Sequence, residues 1–313
     1  MDSFVLCVRA ALGDRFSTDL GPPAWLAVPP EAAVPGPGHA LAGPEAWVAE
    51  LQAAGRPVVF YVHGYNTDPA EALLRQRRLD RELAARDLPC TVVGFDWPTG
   101  GTAAAYLHDR LQAQGAALAL VEGAILPFLR ARRPDCPTPV HLLAHSMGAF
   151  VLREAFRAAD QSHRPDLGGP WRVAQVVLVA ADLSSDSFRG DHPDMAPVFA
   201  RCGRLTNHFS GHDQALAVSS LKHLDLASRV GRVGMPAGAP GSARAVDVDC
   251  GPRYLAVPDR RLAELDGLVS HSWYLEDPRW HDDLAHTLRG ALGRAHFPTR
   301  SPVGENDFVL DPG

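Results

Sequence analysis

Ser146 stands at the corner of Ala144-His145-Ser146-Met147-Gly148, where an apolar strand-like run (140–144) turns straight into a helix-like one (150–159). A serine hydroxyl is a weak nucleophile until a base takes its proton and a fixed geometry presents it. A sharp strand-to-helix turn supplies the geometry, and small residues two before and two after the serine let strand and helix close tightly. Ala144 carries one methyl group more than the glycine such a turn prefers, and the turn tolerates it. The first amides of a helix lack an intrahelical acceptor, so the Met147 N–H is free to face a developing oxyanion. The chemistry to look for is acyl transfer through a covalent serine adduct.

That chemistry needs three further parts. His63-Gly64-Tyr65-Asn66 ends the apolar run 58–62, and a glycine there lets the backbone approach a ligand, so the Tyr65 N–H joins that of Met147 as a candidate oxyanion donor. An acid must hold the base in one tautomer. Asp213, in the glycine-containing loop after the run 204–209, is favoured because it follows the second strand after the nucleophile's, and Asp182, one strand earlier, is the alternative acid. If Asp213 serves, Asp182 is left to cap a helix beginning at Ser184 and Ser185. Among 14 histidines, His271 comes after both acids and completes the chain order serine, acid, histidine, whereas His281 and His286 fall in a run that reads as a closing helix. Around this centre His63, Asn66, Trp97, His145, Phe188 and Trp273 are candidate substrate-binding residues, with Tyr106 a further candidate for an acyl pocket; large aromatic side chains at a sheet edge also simply fill core.

The elements that must position these residues are legible as short runs rich in valine, leucine and phenylalanine, at 4–8, 58–62, 91–95, 140–144, 176–180, 204–209 and 245–248. Such runs suit strands buried on both faces of a mainly parallel sheet. Helical patterns intervene at 71–86, 103–132 with a break expected near Pro127, and 150–159, and a short helix is expected at 44–54 with proline at its first position. Residues 25–28 read as an edge strand. The irregular stretches 29–44 and 231–241 either lean over a pocket or are surface connections, and the tail after His296 is expected to pack loosely or fray.

Taken together these pieces resemble the α/β-hydrolase superfamily, and within it a mainly bacterial group known as α/β hydrolases of unknown function. The resemblance spans about 57–288 and rests on His63-Gly64-Tyr65-Asn66, Phe95-Asp96-Trp97-Pro98, Ala144-His145-Ser146-Met147-Gly148-Ala149, Ala180-Ala181-Asp182, Asp213-Gln214-Ala215-Leu216 with Ser219, and Ser270-His271-Ser272-Trp273-Tyr274. It implies an α/β-hydrolase fold, a mostly parallel central sheet with helices on both faces. It also implies a Ser146, Asp213, His271 triad with an oxyanion hole from Tyr65 and Met147. It brings no defined substrate. The expectation is a serine hydrolase acting on small-molecule carboxylic esters of short or medium acyl chain; an acyltransferase or thioesterase would use the same triad, and a non-catalytic binding module is the lesser alternative.

Composition narrows the field. With 313 residues, 46% hydrophobic and 21% charged, the chain is expected to form a single domain, with a catalytic core at about 56–290, an N-terminal extension at 1–55 and a tail at 297–313. A net charge of -6 and a single lysine, Lys222, argue against nucleic acid as a partner, and the arginine runs at 75–81 and 130–133 read as solvated helix faces. Cys7, Cys90, Cys136, Cys202 and Cys250 are widely spaced and read as reduced, buried thiols. With no export-signal pattern and no stretch read as a membrane span, a cytoplasmic protein is expected, of oligomeric state not specified by the sequence. No cofactor is called for. Neither His281-Asp282-Asp283 nor Asp191-His192-x-Asp194 has the spacing of a catalytic zinc site, and Gly100-Gly101 lacks the lysine of a phosphate loop.

Overall fold

A computed structural model of the chain describes residues 1–100, 106–131, 138–190, 193–217, 228–237, 244–257, 269–290 and 297–313. Gly101, Cys136, the Asp191-His192 pair, Ser219, Lys222 and the end of the stretch 231–241 lie outside the described residues, as does the side chain of Tyr106.

Among the described residues ten strands form one sheet: β1 (Ser3–Leu12), β2 (Arg15–Val28), β3 (Val58–Val62), β4 (Thr91–Asp96), β5 (Val140–His145), β6 (Val173–Val179), β7 (Cys202–Phe209), β8 (Ala245–Asp249), β9 (Arg300–Pro302) and β10 (Asp307–Leu310). Their spatial order is β2-β1-β4-β3-β5-β6-β7-β8-β10-β9. All neighbours pair in parallel except β2 on β1 and β9 on β10, which close the two edges antiparallel.

Because successive strand side chains point to opposite faces, one apolar run feeds two cores. Val58, Phe60 and Val62 of β3 join Leu142 and Ala144 of β5 in a cluster covered by four helices: α1 (Pro44–Ala53), α3 (Tyr106–Leu120), α4 (Leu126–Ala131) and α5 (Gly148–Gln161). Val59, Tyr61, Leu143, Val177 and Val179 face the other way, against α2 (Pro69–Ala84) and the helix Pro278–Leu288. These are helices on both faces of a mostly parallel sheet.

Four expectations are corrected. The helix pattern at 103–132 does not break at Pro127: α3 passes through a π turn (Val121–Ile125) into α4. Pro127 has no N–H for the Gly123 carbonyl four residues back, and Trp25 Nε1 donates to that oxygen at 2.7 Å instead. Residues 108–131 of this helical run are also long and apolar enough to cross a membrane by length and composition, contrary to the sequence reading. Here that apolarity is spent on the sheet, where Ala113, Ala116, Ala117, Leu120, Ala124 and Phe128 are buried.

The tail does not fray either. Phe308 and Leu310 are buried in the second core, and Arg300 forms a two-pronged pair with the buried Asp283 at 2.8 and 2.7 Å. Asp283 also accepts from Thr299 Oγ1 at 2.6 Å and pairs with His208 Nε2 of β7 at 2.8 Å. The edge strand expected at 25–28 is longer, β2 running from Arg15 to Val28, and the strand expected at 4–8 is β1, which pairs in parallel with β4.

Candidate active site

Open α/β sheets collect ligands at the carboxyl ends of their strands. His63 follows β3, Trp97 follows β4, Ser146 follows β5, Asp182 lies just beyond β6 and Asp213 beyond β7. Chain order and the parallel sheet alone bring these five segments to one rim.

At the turn, Ser146 adopts the left-handed region with φ of 55°. A non-glycine residue there is strained and must be held by its surroundings. Ser146 N–H donates to the Val179 carbonyl at 3.0 Å, and the Ser146 carbonyl accepts from Asp182 N–H at 3.1 Å and from Ala149 N–H at 3.0 Å. The end of β6 therefore grips the turn from both sides. Gly148 is dictated by space, because a Cβ there would lie 2.3 Å from the Val62 carbonyl oxygen. The extra methyl of Ala144 is absorbed in the core, where that residue is fully buried. Met147 precedes the first residue of α5, so its amide has no intrahelical acceptor.

The loop after β3 lies against the turn: a Cβ on Gly64 would stand 2.8 Å from Ser146 Cβ and 3.1 Å from His145 Nδ1. Tyr65 is half-buried and Asn66 is exposed with φ of 54°. His63 and Trp97 depart from the expected substrate contact. His63 is 1% exposed, with Nδ1 2.9 Å from the Gly64 carbonyl and Nε2 3.2 Å from both Asp96 Oδ1 and the Trp97 amide. Trp97 stacks on that ring and its indole N–H donates to the His63 carbonyl at 2.9 Å. Both side chains are used up in shaping the loop.

Behind them stands a pair to which the sequence reading gave no role. Arg9 Nε lies 2.7 Å from Asp96 Oδ1, both side chains 2% exposed, and a second guanidinium nitrogen donates to the Thr67 carbonyl at 3.2 Å. Burial would raise the Asp96 carboxyl, but the Arg9 charge and the His63 contact overcome it and hold Asp96 below the usual carboxylate range. The signal was present: an arginine and an aspartate each embedded in an otherwise apolar strand need each other.

The candidate acid and base meet. His271 Nδ1 is 2.7 Å from Oδ2 of the fully buried Asp213, whose Oδ1 accepts from Leu216 N–H at 2.9 Å. A carboxylate only accepts, so Nδ1 carries the proton and Nε2 presents a lone pair. Ser270 Oγ accepts from Gln214 N–H at 3.1 Å, lashing the two loops together, and Arg232 donates to the Asp213 carbonyl at 3.2 Å. Among the described residues the Ser146 hydroxyl makes no hydrogen bond; its link to His271 runs through its neighbour. His145 Nε2 lies 3.1 Å from the His271 carbonyl, and the two rings sit 4.9 Å apart. Burial, reinforced by the His271 ring and the Arg75 guanidinium, holds His145 well below the usual imidazole range.

Asp182 faces elsewhere. Its carboxylate pairs with the buried Arg229 at 3.4 Å. It does not cap the next helix: Ser184 does, its Oγ accepting from Asp186 N–H at 3.2 Å. Phe188 and Trp273 are core residues and not pocket walls. Phe188 meets Phe199 edge to face, and Trp273 is packed among Tyr254 and Tyr274; each is 1% exposed. His281, Asp282 and Asp283 diverge to separate partners, Glu82, Arg86 and Arg300. Among the described residues no group of three or more histidine, cysteine, aspartate or glutamate side chains is placed to hold a metal ion.

Comparison with known proteins bears on the same stretch of chain. The family model described as "Alpha/beta hydrolase of unknown function (DUF900)" matches residues 42–286. The chain belongs to this family. The match takes in the elbow, the loop after β3, both acids and His271, and so covers the α/β-hydrolase rim described above. No curated protein matches the chain. Among solved structures, a protein from Agrobacterium vitis S4 is similar at 15% identity, with 75% of this chain and 87% of that chain covered and a TM-score of 0.40. Esterase B from Lactobacillus rhamnosis is similar at 14% identity, covering 85% of this chain and 80% of its own, with a TM-score of 0.38.

Proposed function

We propose that this α/β hydrolase is a serine-dependent esterase that cleaves carboxylic esters of short or medium acyl chain through an acyl-enzyme. The observation that carries the reading is the 2.7 Å contact between His271 Nδ1 and the buried Asp213, on the rim where Ser146 occupies a left-handed turn. In this reading Ser146 Oγ attacks the ester carbon while His271 Nε2 takes its proton. Asp213 holds the ring by its Nδ1–H and stabilises the imidazolium that forms. The Tyr65 and Met147 amides receive the oxyanion, and His271 returns the proton to the departing alcohol. Water, deprotonated by the same ring, then releases the acid.

The restriction to modest acyl chains is supported by the connection from β6 to β7. It folds down onto the sheet, burying Leu183, Phe188, Met195, Val198 and Phe199. It forms no large separate lid among the described residues.

The test is covalent. A fluorophosphonate probe is expected to label the protein at Ser146, and Ser146→Ala to abolish both labelling and p-nitrophenyl butyrate hydrolysis, a loss of at least about a thousandfold, without loss of fold. Labelling that survives in Ser146→Ala refutes the nucleophile. Added alcohol or a thioester substrate separates hydrolysis from acyl transfer and thioester cleavage by the product formed.

A further inference from the structure

We propose that His145 is a positioning residue for this chemistry: as a neutral imidazole it donates its Nε2–H to the His271 carbonyl and so sets the base relative to the serine it directly precedes. The inference rests on the serine-hydrolase reading above and adds a fourth side chain to it.

The protonation pattern follows from the partner. A carbonyl oxygen has only lone pairs, so the 3.1 Å contact requires the proton on Nε2. Burial keeps the ring neutral, which leaves Nδ1 a bare acceptor, and that atom is buried without a hydrogen-bond partner beside Gly64. The ring is 2% exposed and closed off from water. It is therefore poorly placed to bind substrate, and well placed to act on its neighbours.

The contact supplies something Asp213 does not. Asp213 grips the ring of His271 and sets its rotation. His145 grips the backbone of the same residue, in the short helix Val269–Ser272. Since His145 and Ser146 share a peptide bond, this one hydrogen bond references the base's backbone to the nucleophile's turn. Ångström-scale misplacement of a reacting group costs on the order of a hundredfold in rate.

Neutrality is part of the design. When His271 takes the serine proton it becomes an imidazolium, 4.9 Å from the His145 ring. A second cation there would oppose that charge. Arg75 adds to the positive field around His145.

The experiment compares His145→Leu with His145→Gln, a neutral residue whose amide N–H reaches roughly where Nε2 does. In the full-length protein His145→Leu is expected to lower kcat about 10- to 100-fold with KM within about twofold. The rate of phosphonate labelling should fall in parallel, and His145→Gln should recover most of the loss. An undiminished kcat in His145→Leu overturns the proposal, as does a raised KM at unchanged kcat, which would make His145 a substrate contact. Equal loss in both folded variants also overturns it, because the packing of the ring and not its donor would then matter. Should His145→Leu fail to fold, nitrogen NMR of the wild-type ring decides: an Nε2–H tautomer that stays neutral from pH 5 to 8 supports it, and an Nδ1–H tautomer or titration in that range refutes it. Absence of wild-type labelling at Ser146 would instead sink the esterase reading and leave the tautomer measurement standing.

Discussion

Asp182 touches Ser146 through its backbone, its N–H donating to the serine carbonyl at 3.1 Å, while its carboxylate turns away to Arg229. Two acids that both follow strands at the same rim thus differ in what they touch. One steadies the turn that carries Ser146, and the other, Asp213, meets His271.

The difference separates two variants. Asp213→Asn should lower kcat about 10⁴-fold with the fold retained, since an amide favours the wrong histidine tautomer. Asp182→Asn removes the charge facing a buried arginine and should cost about 3 kcal/mol of stability. Its backbone N–H is untouched, so kcat of the folded protein should stay within about tenfold. Steady-state kinetics beside urea unfolding would show it, and the reverse ranking would exchange the roles.

Gly148→Ala tests the turn itself. The added Cβ would lie 2.3 Å from the Val62 carbonyl oxygen and 2.7 Å from that of His63, and strand backbone cannot yield as a side chain does. A loss of at least about 1–3 kcal/mol is expected. Gly211→Ala, where nothing lies within 4 Å of the new atom, should stay within about 0.5 kcal/mol. Equal melting temperatures for the two variants would contradict the close strand-to-helix contact.

The C-terminal staple predicts a stability loss far from the rim. Arg300→Ala leaves the fully buried Asp283 without its guanidinium, and should cost about 3–5 kcal/mol in urea unfolding. Burial opposes ionisation of Asp283, but the Arg300 charge and the His208 hydrogen bond outweigh it and hold the carboxyl well below its ordinary value. The folded-state value being depressed, its stabilisation is complete above about pH 4 and is lost as pH falls through the folded value. Arg300→Ala should accordingly lose less additional stability than wild type on acidification.

Asp247 carries the opposite sign. Burial pushes its carboxyl up to about 7, although Asn207 Nδ2 and the Met235 amide donate to it at 2.7 and 2.5 Å. A raised carboxyl binds its proton more tightly in the folded state, so this contribution to stability is full below about pH 4 and declines until pH passes 7. Asp247→Asn removes the titration. The stability difference between wild type and variant should therefore slope from pH 4 to 7 and be flat above it; a difference independent of pH would refute the shift.

Much of this was written in local pattern. The run 58–62 matches β3 residue for residue, and the ends of β4, β5 and β7 lie within two residues of their apolar runs, because strands buried on both faces need continuous apolar sequence. Chain order favours Asp213 over Asp182 and singles out His271, and these two side chains are in contact, since a parallel sheet turns sequence order into position along its rim. Where the sequence misled, a distant partner had changed the meaning of a local signal. Pro127 broke nothing because Trp25 satisfies the carbonyl it orphans, and the proline-containing tail was held by Arg300 and Asp283.

The sequence by itself determined the kinds of chemistry available and the end of the sheet at which they gather, because residue type, strand order and the space left by Gly148 are properties of the chain. The tertiary structure alone decided which polar groups touch. His63, Trp97, Phe188 and Trp273 have the same composition in a pocket wall as in a core, and Arg9 and Asp96 are 87 residues apart in sequence. The direction of a side chain and the partner it meets depend on packing between elements far apart along the chain, and no local pattern encodes that.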